Sequence, residues 1–308
     1  MFDEPIRVFV GADRSQALAV DVLDYSIRRH TDAKVEVVSM ADLVLPEPED
    51  VRQGSRTMFS FTRFAIPGLC NYQGKAIYMD ADMQVFKDIR SLWNIPFEGR
   101  EKVEILEEVP DEFQPKSGQV GAPEKRKKQS SVMLLDCNRL DWVVQDIIKG
   151  LDGDYTYDQL LSDMCILEQD EVGYRVPFIW NSLEVHIPGT TALTHYTDMY
   201  TQPWVSNENP IGWVWLNEVK RMLADGSLNW EQIEEEVRLG YFRPSILHEL
   251  RANWDLSQPD PDRRAMLDKI DADAKFEKHA EVYAKKRERK KAIKAYEEKL
   301  ARQQRALA

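Results

Sequence analysis

The apolar positions of the chain fall into short runs separated by polar, turn-forming segments. Ile6-Arg7-Val8-Phe9-Val10 opens as a strand and leads into Gly11-Ala12-Asp13. Ala17, Val20, Val22, Leu23 and Ile27 supply apolar positions for a predicted helix that starts from an N-cap at Ser15 and runs to about Arg29. Residues 34–38 form the next strand, and strand–helix–strand marks a parallel α/β sheet. Residues 59–69 read as a short helix interrupted by Pro67, and 75–80 as a buried strand. Further strands are expected at 103–106 and 131–136, and helices at 140–148 and 157–167; the polar stretch 107–130 between the two strands reads as a mobile surface loop. From about Pro261 the pattern becomes a helix rich in Ala, Lys, Glu and Arg. The expected organisation is a body over 1–255 and a charged helical tail over 256–308.

The strand at 75–80 runs directly into Asp80-Ala81-Asp82. Side chains i and i+2 of a strand point the same way, so both carboxylates reach one point at the strand end. In open α/β sheets, that end is where ligands collect. Two converging carboxylates repel unless a cation sits between them, and hard divalent ions prefer oxygen ligands and bridge to phosphate. The bland use of the same tripeptide is a turn cap beside a solvated acid. Phosphatases of the haloacid-dehalogenase type also place Asp-X-Asp after a strand, but they need Thr or Val two residues after the second Asp, where this chain has Gln84.

Charge refines the division of the chain. Residues 262–308 carry 15 Lys and Arg against 9 Asp and Glu, a net of +6, which leaves 26 against 44, a net of −18, in the rest. An acidic body argues against nucleic acid as a partner. No run of apolar residues is long enough to span a bilayer, the N-terminus lacks a signal-peptide pattern, and Cys70, Cys137 and Cys165 have no metal-ligand spacing. A reduced, cytoplasmic protein is expected. In the tail, Phe276, Ala280 and Tyr283 share a face, as do Ile293, Tyr296 and Leu300, but the basic run Lys285 to Lys291 interrupts the apolar stripe. The tail thus reads as a solvated helix, a docking helix for a protein partner, or an attachment to anionic lipid at the inner face of the membrane.

Several blocks in order resemble one family. Gly11-Ala12-Asp13 after the first strand, Arg63 within Phe61-Thr62-Arg63-Phe64-Ala65-Ile66-Pro67, Asp80-Ala81-Asp82, and His195 ahead of Pro203-Trp204 are similar to family 8 of the retaining glycosyltransferases, over roughly residues 6–205. The resemblance implies an α/β fold of the GT-A type, a Rossmann-like mixed sheet flanked by helices, here with a C-terminal helical extension. It implies that Asp80, Asp82 and His195 hold Mn²⁺ or Mg²⁺ against the diphosphate of a UDP-sugar, and that Gly11, Ala12, Asp13, Arg63 and Ala81 form the donor pocket. It assigns Gln129 to the donor sugar and Asp158 and Gln159 to the neighbourhood of the reacting carbon. The implied activity is metal-dependent, retaining transfer of a hexose to a glycan, lipid or small-molecule acceptor. The alternative is an inactive nucleotide-sugar-binding or scaffold protein acting through its basic tail.

The chain also departs from the family. A Gly and then a diphosphate-binding Lys stand between the family's His and Pro-Trp. Here Asp198 takes the place of the Gly, and Thr201-Gln202 replaces the Lys in a segment one residue longer. A cation for the phosphates must come from elsewhere, with Arg63 and the Lys125–Lys128 loop as candidates. The aromatic residue that stacks on the base falls near Gln16.

Overall fold

The computed structural model of the protein describes residues 4–57, 59–106 and 129–307. The main sheet contains β1 (Ile6–Gly11), β2 (Val35–Ser39), β3 (Lys75–Asp80), β5 (Val103–Leu106), β6 (Gln129–Asp136) and β7 (Val172–Val176), in the order β2-β1-β3-β6-β5-β7. The first three strands are mutually parallel, β6 is antiparallel to both neighbours, and β7 is again parallel to β5. A smaller sheet, β4 (Met83–Val85), β8 (Ser182–Leu183) and β9 (Leu193–His195), has the order β4-β9-β8. The mixed α/β architecture read from the sequence is therefore present.

The central strands are apolar on both sides because both faces are covered. Val8, Val10, Ile77 and Met79 pack against Val20, Leu23 and Ile27 of α1 (Ala17–Arg29). Phe9, Ala76 and Tyr78 point the other way, toward Phe64, Ile66 of α2 (Ile66–Leu69) and Ile147 of α4 (Val144–Gly150). A short α3 (Arg90–Trp93) follows β4. The outer side of α1, through Leu18, Ala19 and Val22, meets Trp204 and helices α6 (Gly212–Asp225), α7 (Trp230–Arg238) and α8 (Ile246–Arg251). Trp204, Trp215 and Phe242 form a buried aromatic cluster in that layer.

Local chemistry moves some predicted boundaries. Asp13, not Ser15, makes the cap before α1: its Oδ1 accepts from the Ser15 amide at 2.9 Å and starts a 3-10 turn over Arg14–Gln16. Pro67 opens α2 rather than breaking a longer helix, since the first turn does not use its missing N–H. α5 (Tyr157–Asp163) stops four residues before the expected end because Met164 adopts the left-handed conformation, φ 52°. The loop expected at 107–130 lies outside the described residues except for 129 and 130, which begin β6.

The tail is two helices, α9 (Pro261–Asp273) and α10 (Ala280–Leu307). Asp260 caps α9, and Asp271 accepts from the amide and hydroxyl of Ser245 at 2.8 and 2.7 Å. Phe276 packs with the layer built by α6–α8. The tail is thus seated on the body rather than free in solvent.

One glycine joins the sheet to the later chemistry. A Cβ on Gly11 would lie 2.2 Å from the Tyr78 hydroxyl, which crosses from the neighbouring strand. Gly11→Ala is expected to lower stability by about 1–3 kcal/mol through overpacking, read from urea denaturation midpoints. An unchanged midpoint would mean that Tyr78 has room to move.

Candidate active site

Three elements bring the acidic pair and the histidine together. Asp80 ends β3, and Asp82 sits in the bend that leads to β4. β4 then pairs antiparallel with β9, with Met83 opposite His195, and the Tyr196 amide donates to the Asp82 carbonyl at 2.8 Å. This long-range pairing places the imidazole beside the carboxylates. One ligand atom from each of Asp80, Asp82 and His195 lies within 4.8 Å of the other two.

Each member is held by its own partners. Asp80 Oδ1 accepts from the Tyr78 hydroxyl at 2.6 Å and faces Arg63 Nη2 at 3.4 Å. Arg63 is itself buried, stacked over the Tyr78 ring at 4.3 Å, and bound to the carbonyl and hydroxyl of Ser130. Burial pushes the Asp80 carboxyl above its ordinary range, against the opposing pull of Arg63. Burial also holds the Tyr78 phenol far above its usual range, so it stays a donor to Asp80. Asp82 Oδ2 accepts from Gln202 Nε2 at 2.9 Å, and the same amide nitrogen donates to the Tyr196 carbonyl.

The histidine geometry is informative. His195 Nδ1 lies 2.9 Å from Asn181 Oδ1, an acceptor, while Asn181 Nδ2 donates to Ser131 Oγ at 3.0 Å. Nδ1 therefore carries the hydrogen, and in its neutral form the ring turns a bare lone pair on Nε2 toward Asp82 Oδ1, 3.0 Å away, and Asp80 Oδ2, 4.0 Å away. Asp82 Oδ1 is buried and accepts no hydrogen bond. Three electron-pair donors facing one point need a cation there. A proton serves only two of them, whereas a metal ion serves all three. An oxygen–oxygen–nitrogen set fits a first-row divalent ion.

A cavity of about 730 Å³ opens onto this trio, within the range of about 300–1,000 Å³ common for small-ligand sites. Asp13, Gln16, Arg63 and Tyr157 line it from the body, and Lys286 and Arg289 of α10 line it from the tail. Gln16 Oε1 is buried there without a hydrogen-bond partner.

The other expected site residues take varied positions. Asp13 reaches the cavity while capping its own turn. Ala12 and Ala81 are buried beside the cavity rather than among its lining residues; the Ala81 amide donates to the Gly11 carbonyl at 3.0 Å. Gly11 leaves room for the Tyr78 hydroxyl. Asp158 is exposed and is not itself a lining residue, but it pairs at 2.7 Å with Arg56, which lines the cavity as its neighbour Tyr157 does. Gln159 closes a capping box with Thr156, accepting from its amide at 2.8 Å. Gln129 begins β6, and its side chain lies outside the described residues, as does the Lys125–Lys128 loop. Tyr78, Asn181 and Gln202 were not anticipated; only Tyr78 carried a signal, because it shares the strand face of Asp80.

Residues 14–149 match the family model for glycosyl transferase family 8. That stretch of the chain is similar to the family and spans less than half of the 308 residues. Protein CDI of Arabidopsis thaliana is 29% identical over 234 residues, which cover 70% of this chain and 87% of that protein. Among solved structures, the glycosyltransferase GlyE of Streptococcus pneumoniae TIGR4 is similar at 16% identity and a TM-score of 0.49, over 78% of this chain and 65% of that one. The galactosyltransferase LgtC with donor and acceptor sugar analogues is similar at 14% identity and a TM-score of 0.45, over 70% and 94%. The apo bifunctional glycosyltransferase WbbM is similar at 14% identity and a TM-score of 0.48, and this chain spans only 50% of it. The mixed sheet of this chain is flanked by helices, as the sequence led one to expect.

Asn181 should matter to this site without touching a bound ion. Replacing it by Leu removes the acceptor that fixes the imidazole tautomer, and Mn²⁺ affinity is expected to fall by about 10–100-fold. Titration of free Mn²⁺ by electron paramagnetic resonance checks this; an unchanged affinity would show that Asn181 does not set the ring.

Proposed function

We propose that the protein is a metal-dependent glycosyltransferase that moves a hexose from a UDP-sugar to a carbohydrate-containing or lipid acceptor, with retention of anomeric configuration. The observation that carries this is the convergence of Asp80, Asp82 and the Nε2 lone pair of His195 on one point at the edge of a cavity of donor size. The family match supports the transferase class.

Asp80, Asp82 and His195 would hold the divalent ion. When bound there, it supplies Lewis-acid neutralisation of charge on the departing diphosphate. The chain's own residues do the rest. Tyr78 and Arg63 fix Asp80, and Gln202 fixes Asp82, so the carboxylates are oriented before the donor arrives. Gln16 Oε1 offers an unpaired acceptor to a base N–H, with Asp13 beside it. Retention rests on the family resemblance. Asp158, paired with Arg56 at the surface, would have to shift to approach a sugar carbon. The three cysteines are free, which suits a reducing, cytoplasmic setting. No helix among the described residues is long and apolar enough to cross a membrane.

Asp80→Ala and Asp82→Ala should each abolish Mn²⁺-dependent UDP binding while keeping the fold, as seen by calorimetry and circular dichroism. UDP affinity that is indifferent to both changes would refute the metal site. Proton NMR of the product formed from a UDP-α-hexose should show an α-linkage; a β-linked product would overturn retention. Wild-type protein that binds UDP and Mn²⁺ but releases no sugar to any acceptor or to water would instead be a nucleotide-sugar-binding scaffold.

A further inference from the structure

The basic interruption in the tail's apolar stripe lies where the helix crosses the cavity. Val282, Lys286, Arg289, Ile293, Tyr296 and Leu300 of α10 recur at alternating spacings of four and three, so they share one face, and all are half-buried. Val282, Lys286 and Arg289 line the same cavity as Asp80, Asp82 and His195. The helix is pinned on both sides of this crossing. Before it, Tyr283 stacks on Tyr200 with centroids 5.4 Å apart, and Lys278 Nζ reaches the Tyr200 carbonyl and the Ser206 hydroxyl at 2.9 Å. After it, the Arg52 guanidinium lies over the Tyr296 ring at 5.5 Å, and Arg289 Nη2 donates to the Arg52 carbonyl at 2.9 Å.

The two cations are under-used by the protein itself. Lys286 Nζ has the Met199 sulfur at 3.4 Å, a weak acceptor, and the Tyr283 ring with its centroid 5.2 Å away, and no carboxylate partner among the described residues. Arg289 Nε is buried without any hydrogen-bond partner. Cations turned into a cavity and left unpaired are costly unless an anion joins them. On the body side of the site the arginines are committed: Arg63 to Asp80, Tyr78 and Ser130, Arg56 to Asp158, and Arg14 to Glu236; Lys285 of α10 also lines the cavity. Gln202, in the segment where the family carries its phosphate lysine, is spent on Asp82.

We propose that α10 is the second wall of the donor site, and that Lys286 and Arg289 bind the diphosphate of the nucleotide from the side opposite Asp80, Asp82 and His195. This rests on the donor reading above and adds to it the source of the missing cation. The diphosphate then lies between the metal trio on the body and two basic side chains on the tail. On this assignment the tail is part of the binding machinery, whatever its outward face contacts.

The test is calorimetric titration of the full chain with UDP, pyrophosphate and uridine, each in Mn²⁺. Lys286→Gln/Arg289→Gln should weaken UDP and pyrophosphate by about tenfold or more, the size of a lost charge-assisted contact, and leave uridine unchanged. Lys290→Gln/Lys291→Gln, on the exposed side of α10, should bind all three as wild type does. Lys286→Arg keeps the charge and should hold UDP affinity near the wild-type value, which separates loss of the cation from a disturbed helix. UDP binding that survives the paired substitution but is abolished by Asp82→Ala would overturn this proposal and leave the donor reading intact. Wild-type protein that binds neither UDP nor pyrophosphate in Mn²⁺ would overturn both.

Discussion

Two carboxylates and an imidazole lone pair, drawn to one point and taken out of water, repel one another, and much of the surrounding structure answers that repulsion. Tyr78 and Arg63 stabilise one carboxylate, Gln202 the other, and Asn181 fixes the imidazole so that its lone pair faces inward. Burial of like charges costs several kcal/mol when uncompensated, so such an arrangement persists only where it is used. The fold yields to it as well. Residue 11 has to be glycine for the Tyr78 hydroxyl to pass, and the small sheet β4-β9-β8 brings His195 to the end of β3.

The charge asymmetry of the chain has an internal counterpart. The body carries the negative excess and the tail the positive one. α10 lays part of that positive charge across the cavity that Asp80 and Asp82 line from the body. Arg264 and Lys278 of the tail pair with Glu208, but around Lys286 and Arg289 the attachment is by rings and backbone contacts, Tyr283 on Tyr200 and Tyr296 under Arg52, with Phe276 in the aromatic layer. Cations held in place by neutral contacts stay free to meet an anionic ligand.

What the sequence revealed follows from the range of the interactions involved. Asp80 and Asp82 were legible because strand alternation is local, and the parallel β1-α1-β2 start because its elements are adjacent. His195 was found only through the order of blocks resembling a family; its partner strand lies far away in sequence, and no local pattern specifies the pairing of Met83 with His195. Gln202 and Asn181 act through contacts set by that same pairing, so they carried no signal of their own. The face of α10 could have been read from its spacing, yet nothing local says what it covers. Asp158 and Gln159 show the converse. Thr156-Tyr157-Asp158-Gln159 spells a helix N-terminal capping box, and in the structure Gln159 performs that local task while Asp158 meets Arg56 at the surface.

The central claim is that one divalent ion binds Asp80, Asp82 and His195 together. Pulsed electron paramagnetic resonance of the full chain loaded with Mn²⁺ addresses it without reference to turnover. One tightly bound Mn²⁺ per chain should show modulation from a directly coordinated imidazole nitrogen, and that modulation should vanish in His195→Gln. Bound Mn²⁺ with oxygen ligands alone, or none retained by the wild-type protein, would contradict the account.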